Sequence, residues 1–139
     1  MARPKDIGTR GETQVVKFLI ESGFPYAERR ALHGSTDLGD ITGTPGLVWE
    51  VKSGEAAMTA SDNQIVAWLK ETETERVNAK NAEFGTLVVQ RRRQHPRAWW
   101  AITTDHHGNP VWTRLVSRTF ALRMMGFGTR VTKGEKAAC

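Results

Sequence analysis

The run Leu47-Val48-Trp49-Glu50-Val51-Lys52 constrains the fold more than any other stretch of this 139-residue chain. Its β-branched and aromatic residues make a strand, and Pro45-Gly46 before it marks a turn. Residues two apart on a strand share a face, so Glu50 and Lys52 point the same way. Asp40 stands ten residues before Glu50. A hairpin turning at Pro45-Gly46, with arms over residues 37–42 and 47–52, brings the Asp40 carboxylate beside Glu50.

Two carboxylates and one ammonium then share one small site. Oxygen ligands of this kind suit Mg²⁺ or Mn²⁺. A metal with a lysine suits the negative charge that builds up in phosphodiester hydrolysis. Glu-x-Lys alone is also an ordinary solvated strand edge, so the rest of the chain has to bear on the choice.

The length is that of one domain, expected over residues 1–128, with a basic flexible tail at 129–139. Hydrophobic residues at 39% and charged residues at 25% fit a soluble globular protein. No apolar run approaches the ~20 residues of a membrane span, so no membrane partner is expected. The first residues carry no apolar signal segment, and Cys139 is the one cysteine, so neither a disulfide framework nor a cysteine zinc site is expected. These features point to the cytoplasm of a bacterial, archaeal or phage-infected cell.

Charge is unevenly spread. Residues 1–90 hold 10 Lys/Arg against 13 Asp/Glu, and residues 91–139 hold 10 against 2. An acidic part joined to a basic part fits an enzyme that binds metal at one place and polyanion at another, although a basic face can also serve solubility alone.

Along the chain, residues 1–8 read as a basic leader and Thr9 as the cap of a helix over 10–22, with Val15, Val16, Leu19 and Ile20 inward and Gly23 closing it. Glu12 shares that inward face, where a carboxylate needs a partner or a metal; it can equally be a first-turn glutamate favoured by the helix dipole. A strand is expected over 24–32 and a loop at His33 to Thr36. Ser61 opens a second helix, with Ile65, Trp68, Leu69 and Val77 inward and Glu71, Glu73 and Glu75 solvated. Strands follow at 84–90, 98–103 and 111–112, then a last helix over 115–125. The order is α-β-β-β-α-β-β-α, an α/β sandwich around a mixed sheet.

Thr9-Arg10-Gly11-Glu12, Gly23-Phe24, Arg30, Gly34-Ser35, Asp40-Ile41 and Glu50-Val51-Lys52, in that order, resemble the PD-(D/E)XK nuclease superfamily. Within it the chain is most similar to Holliday junction resolvases of the small archaeal and phage type. The resemblance covers residues 8–90. It implies a restriction-endonuclease-like mixed β-sheet flanked by helices, and a Mg²⁺- or Mn²⁺-dependent endonuclease acting on branched DNA in recombination and repair, as a homodimer. It implies Asp40, Glu50 and the Val51 carbonyl as metal ligands, with Glu12 completing the shell or holding a metal-bound water. Lys52 would activate the attacking water and offset phosphate charge. Arg30 and Ser35 would touch the DNA, with Arg10 beside them. Gly39 stands where the family has its proline, and Asp37, three residues before Asp40, is a rival ligand.

Gln64 is either a DNA- or lysine-supporting residue, as in related nucleases, or a member of the capping box Ser61-x-x-Gln64. Arg91, Arg92 and Arg93 form a basic turn that could meet phosphates. His106-His107 lacks a third ligand at useful spacing and reads as a solvated turn. Trp99, Trp100 and Trp112 could stack on bases, but strand positions favour core or interface packing. Val116, Phe120, Met124 and Met125 would add apolar surface for pairing. Two other readings stay open: a nuclease of the same fold acting on flap, single-stranded or duplex DNA, and a catalytically silent DNA-binding module.

Overall fold

The computed structural model describes residues 4–30, 39–79, 82–105 and 107–115, with side chains from Arg10 onward. In chain order the elements are α1 (Pro4–Glu21), β1 (Glu28–Arg29), β2 (Ile41–Thr42), β3 (Leu47–Lys52), α2 (Glu55–Met58), α3 (Asp62–Asn78), β4 (Phe84–Val89), a 3₁₀ turn (Pro96–Ala98), β5 (Trp100–Thr104) and β6 (Pro110–Arg114). Residues 116–125 of the helix expected over 115–125, the tail, Ser35, Asp37, His33 and His106 lie outside the described residues, as do Val116, Phe120, Met124 and Met125.

The main sheet has the order β3-β4-β5-β6. β3 and β4 run parallel with Glu50 opposite Leu87, and β4, β5 and β6 are antiparallel. It is a mixed sheet flanked by helices, as the α/β reading expects. Strand alternation divides its core in two. Leu47, Trp49 and Val51 join Val88 and Ala101 against Val15, Phe18 and Leu19 of α1. Leu87, Val89 and Ile102 pack against Ala57, Ile65 and Leu69, on the face of α2 and α3. Glu50 and Lys52 therefore face α3, and Glu50 is a carboxylate on a buried face.

α1 is longer than its sequence reading. It starts at Pro4, so residues 4–8 are helical and Thr9 lies inside the helix. Proline is tolerated in a first turn because its missing N–H would have had no helical partner there. Glu12 is thus well inside the helix, which removes the dipole as its explanation. The C-terminus closes as expected: Gly23 has φ 111°, Gly23 N–H reaches the Ile20 carbonyl and Phe24 N–H the Leu19 carbonyl, the Schellman arrangement.

The strand expected over 24–32 shrinks to Glu28–Arg29, and the expected hairpin is altered. β2 pairs with β1, through Glu28 opposite Thr42, while β3 pairs with β4. The link from this arm to β3 is the bond from Asp40 N–H to the Trp49 carbonyl, 2.7 Å. The turn itself is closed by Leu47 N–H to the Thr44 carbonyl and by the Trp49 indole N–H to Thr44 Oγ1, 3.1 Å. Trp49 is fully buried, so the turn is held by its largest core side chain.

Gly43 has φ 89°, and a Cβ there would lie 2.0 Å from the Tyr26 carbonyl oxygen; a Cβ on Gly23 would meet nothing within 4 Å. Gly23→Ala should therefore cost only left-handed strain, on the order of 1–2 kcal/mol. Gly43→Ala adds a backbone clash and should cost roughly twice as much or more. Urea midpoints of the two variants test this, and equal losses would contradict the close packing of Gly43 on residues 26–27.

Candidate active site

β3 is an edge strand of the main sheet. Glu50 pairs inward with β4, so the backbone groups of Trp49 and Val51 point to the open edge. Asp40 occupies that edge. Its N–H donates to the Trp49 carbonyl (2.7 Å), and its Oδ2 accepts from Val51 N–H (2.7 Å). Its own carbonyl accepts from Arg30 N–H (2.8 Å). Asp40 thus grips β3 on both sides of Glu50. The Val51 carbonyl lies on the same edge, by the alternation of strand backbone groups.

Glu50 is 9% exposed. Burial pushes its carboxyl up to about 7; a hydrogen bond with Asp40 opposes this, contact with Glu75 adds to it, and Lys52 pulls it down. The structure thus brings together Asp40, Glu50 and Lys52 as the sequence reading expects. It also adds Glu75 of α3, which is 4% exposed and close enough to Glu50 to help raise its carboxyl. The sequence reading placed Glu75 on a solvated face with Glu71 and Glu73. Ile65, Leu69, Thr72 and Glu75 are the buried residues of α3, at spacings of four, three and three. That periodicity was the available signal. Val77, expected inward, is 63% exposed.

Lys52 is half-buried, and its ammonium sits 5.5 Å from the centre of the Trp68 ring. A cation over an aromatic face is attracted to it, so α3 holds the lysine as well as Glu50's neighbour. Gln64, one turn earlier, is exposed, and its backbone N–H donates to Ser61 Oγ, so the capping arrangement is present.

Glu12 is half-buried on α1. Its Oε1 accepts from Arg29 Nε at 2.9 Å, and its carboxyl is raised by burial, with Arg29 opposing and Asp40 adding to the effect. Arg29 thus supplies the partner that an inward carboxylate needs. Arg10 is exposed beside it in sequence. Arg30 is half-buried, and its Nε makes no hydrogen bond among the described residues.

The basic turn is largely tied to the protein. Arg91 donates to the Ala57 carbonyl (2.8 Å) and the Ala60 carbonyl (3.5 Å), Arg92 pairs with Glu55, and Arg97 pairs with Glu21. Arg93 is exposed, at φ 59°. Trp99 is buried in the α1-side core, while Trp100 meets Trp112 edge-on at 5.4 Å and carries Arg114 over its ring. These contacts are the packing role expected of strand tryptophans.

Among the described residues, no three His, Cys, Asp or Glu groups converge as a metal site. Asp40 and Glu50 nevertheless fit Mg²⁺ or Mn²⁺, because Mg²⁺ is commonly held by one or two carboxylates and keeps several waters. Two carboxyl groups in contact need a proton or a cation between them, and Glu50 retains its proton to about pH 7.

The folded protein holds the Glu50 proton more tightly than the unfolded chain, whose value is 4.5. Its contribution is therefore full below pH 4.5 and is lost as pH rises through about 7. The loss should be on the order of 3 kcal/mol. Urea unfolding in EDTA across this range should show the decline, and Glu50→Gln should flatten it. A variant that retains the whole decline would assign it to other groups.

No protein-family model matches this chain, and no curated protein and no solved structure matches it, so the functional reading stands on the fold and the site.

Proposed function

We propose that the protein is a divalent-metal-dependent DNA endonuclease of the PD-(D/E)XK type, with a restriction-endonuclease-like fold, that cuts four-way junctions. The observation that carries this reading is Asp40 held against β3 on either side of Glu50, its N–H on the Trp49 carbonyl and its Oδ2 on Val51 N–H, with Lys52 two residues beyond Glu50 on the same strand.

Asp40, Glu50 and the Val51 carbonyl would hold the ion. A bound Mg²⁺ or Mn²⁺ supplies charge stabilisation at a phosphoryl oxygen and lowers the pKa of water. The protein's own part is positioning. Asp40 is fixed by backbone bonds on either side of Glu50, so the carboxylate pair is organised before substrate arrives. Lys52 offsets negative charge developing on the phosphate, and Trp68 restrains its ammonium. Glu12 lies close enough to Asp40 to add to its field, and Arg29 sets its orientation. Arg10, Arg30 and Arg93 are the cations that DNA would meet, with Ser35 and Gln64 as further contacts. Arg91 and Arg92 act first on α2, by capping its carbonyls and pairing with Glu55. Resolution of a junction needs two symmetric cuts, which a homodimer supplies.

Lys52→Ala should lower cleavage of a synthetic four-way junction in Mg²⁺ by about 10² or more, with junction binding nearly intact. Gel-shift and single-turnover cleavage of the two proteins measure this. Equal loss of binding would make Lys52 a DNA-contact residue, and unchanged cleavage would place the chemistry elsewhere.

A further inference from the structure

A cleft of about 640 Å³ opens beyond the carboxyl ends of β3 and β4. These are the parallel strands of the sheet, and ligands of α/β proteins bind in crevices at such ends. One wall is α1, through Arg10 and Gln14; the other is the start of the turn after β4, through Gln90 and Gln94; Gly54 and Met58 complete it. Gly54 follows Lys52 by two residues, so the cleft begins where the candidate active strand ends.

Its polar lining is three amides, one guanidinium and the Glu55 carboxylate, and Met58, Pro96 and Trp99 add apolar surface. Gln14 and Arg10 are exposed on the same helix. Gln90 Oε1 accepts from Gly54 N–H at 2.9 Å, and its amide N–H groups have no acceptor among the described residues. Glu55, a carboxylate on the rim, is paired with Arg92, so the mouth does not repel an anion through it. Glutamine amides carry a donor and an acceptor side by side and match base edges, and a guanidinium matches phosphate. A duplex hides most of those edges in its base pairs, whereas unpaired nucleotides splay their bases out.

We propose that this cleft holds two unpaired nucleotides of the DNA strand next to the scissile phosphate, with Arg10 on the phosphate and Gln14 and Gln90 on base edges. The choice of strand rests on the nuclease reading, which it deepens: a nuclease that seats an unpaired nucleotide favours branched or open DNA over plain duplex.

The test uses ¹⁵N-labelled full-length protein in EDTA, so that binding is read without metal or cleavage. The probes are a four-nucleotide deoxyadenosine strand, dAMP and a short duplex. The strand should move the side-chain amide resonances of Gln14 and Gln90 and bind more tightly than dAMP or the duplex. Arg10→Ala with Gln14→Leu, both at exposed positions, should weaken strand binding about tenfold while the remaining spectrum stays folded. Shifts confined to another surface, unaltered affinity in the double variant, or dAMP binding as tightly as the strand would overturn the assignment. Strand binding in the cleft by a protein that cuts no DNA would support the cleft and remove the nuclease reading.

Discussion

The Asp40 carboxylate accepts the Val51 N–H, and the arrangement of the candidate site depends on that bond. Edge strands expose unpaired donors and acceptors that have to be covered. Here Thr44 covers the start of the β3 edge through Leu47 N–H, and Asp40 covers its middle through its backbone on the Trp49 carbonyl and its side chain on Val51 N–H. The same bonds that cap the edge set one carboxylate against the next. The Trp49 indole bond to Thr44 then fixes the turn that returns the chain, so a core side chain and a carboxylate of the candidate site share one short segment. Fold and site are coupled through about ten residues.

Burial of Glu50 carries the opposite energetic sign. A carboxylate on the α3 face costs free energy unless a proton or a cation compensates it. The structure places Glu75 and Asp40 against it, which raises the demand, and Lys52 near it, which eases it. Such an arrangement is poor for stability at high pH and good for binding a divalent ion. Perturbed carboxyl groups cluster at functional sites in general, and this one carries the candidate reading.

Legibility followed locality. Residues 47–52, the glycine stop at Gly23 and the Ser61 cap rest on near neighbours, and all three stand in the structure. Partners distant in sequence were hidden. Nothing near Glu50 announces that it lies opposite Leu87, so the sequence points to a local hairpin where β3 in fact pairs with β4. Glu75 was concealed by alternation with Glu71 and Glu73, which reads as a solvated run, although its spacing from Ile65, Leu69 and Thr72 is that of an inward stripe. The arginine turn shows its charge in composition but not its acceptors, which lie on α2 and at Glu21, more than 30 residues away.

The central claim is that Asp40 and Glu50 together bind a divalent ion, and calorimetric titration of the full-length protein with Mn²⁺ tests it most directly. The account expects one ion per site, with proton release near pH 7 as the ion displaces the Glu50 proton, and loss of binding in Asp40→Asn. Asparagine can still accept the Val51 N–H through its amide oxygen, so this variant keeps the fold while removing the charge. Absence of binding in the wild type, or binding undiminished in Asp40→Asn, would contradict the account.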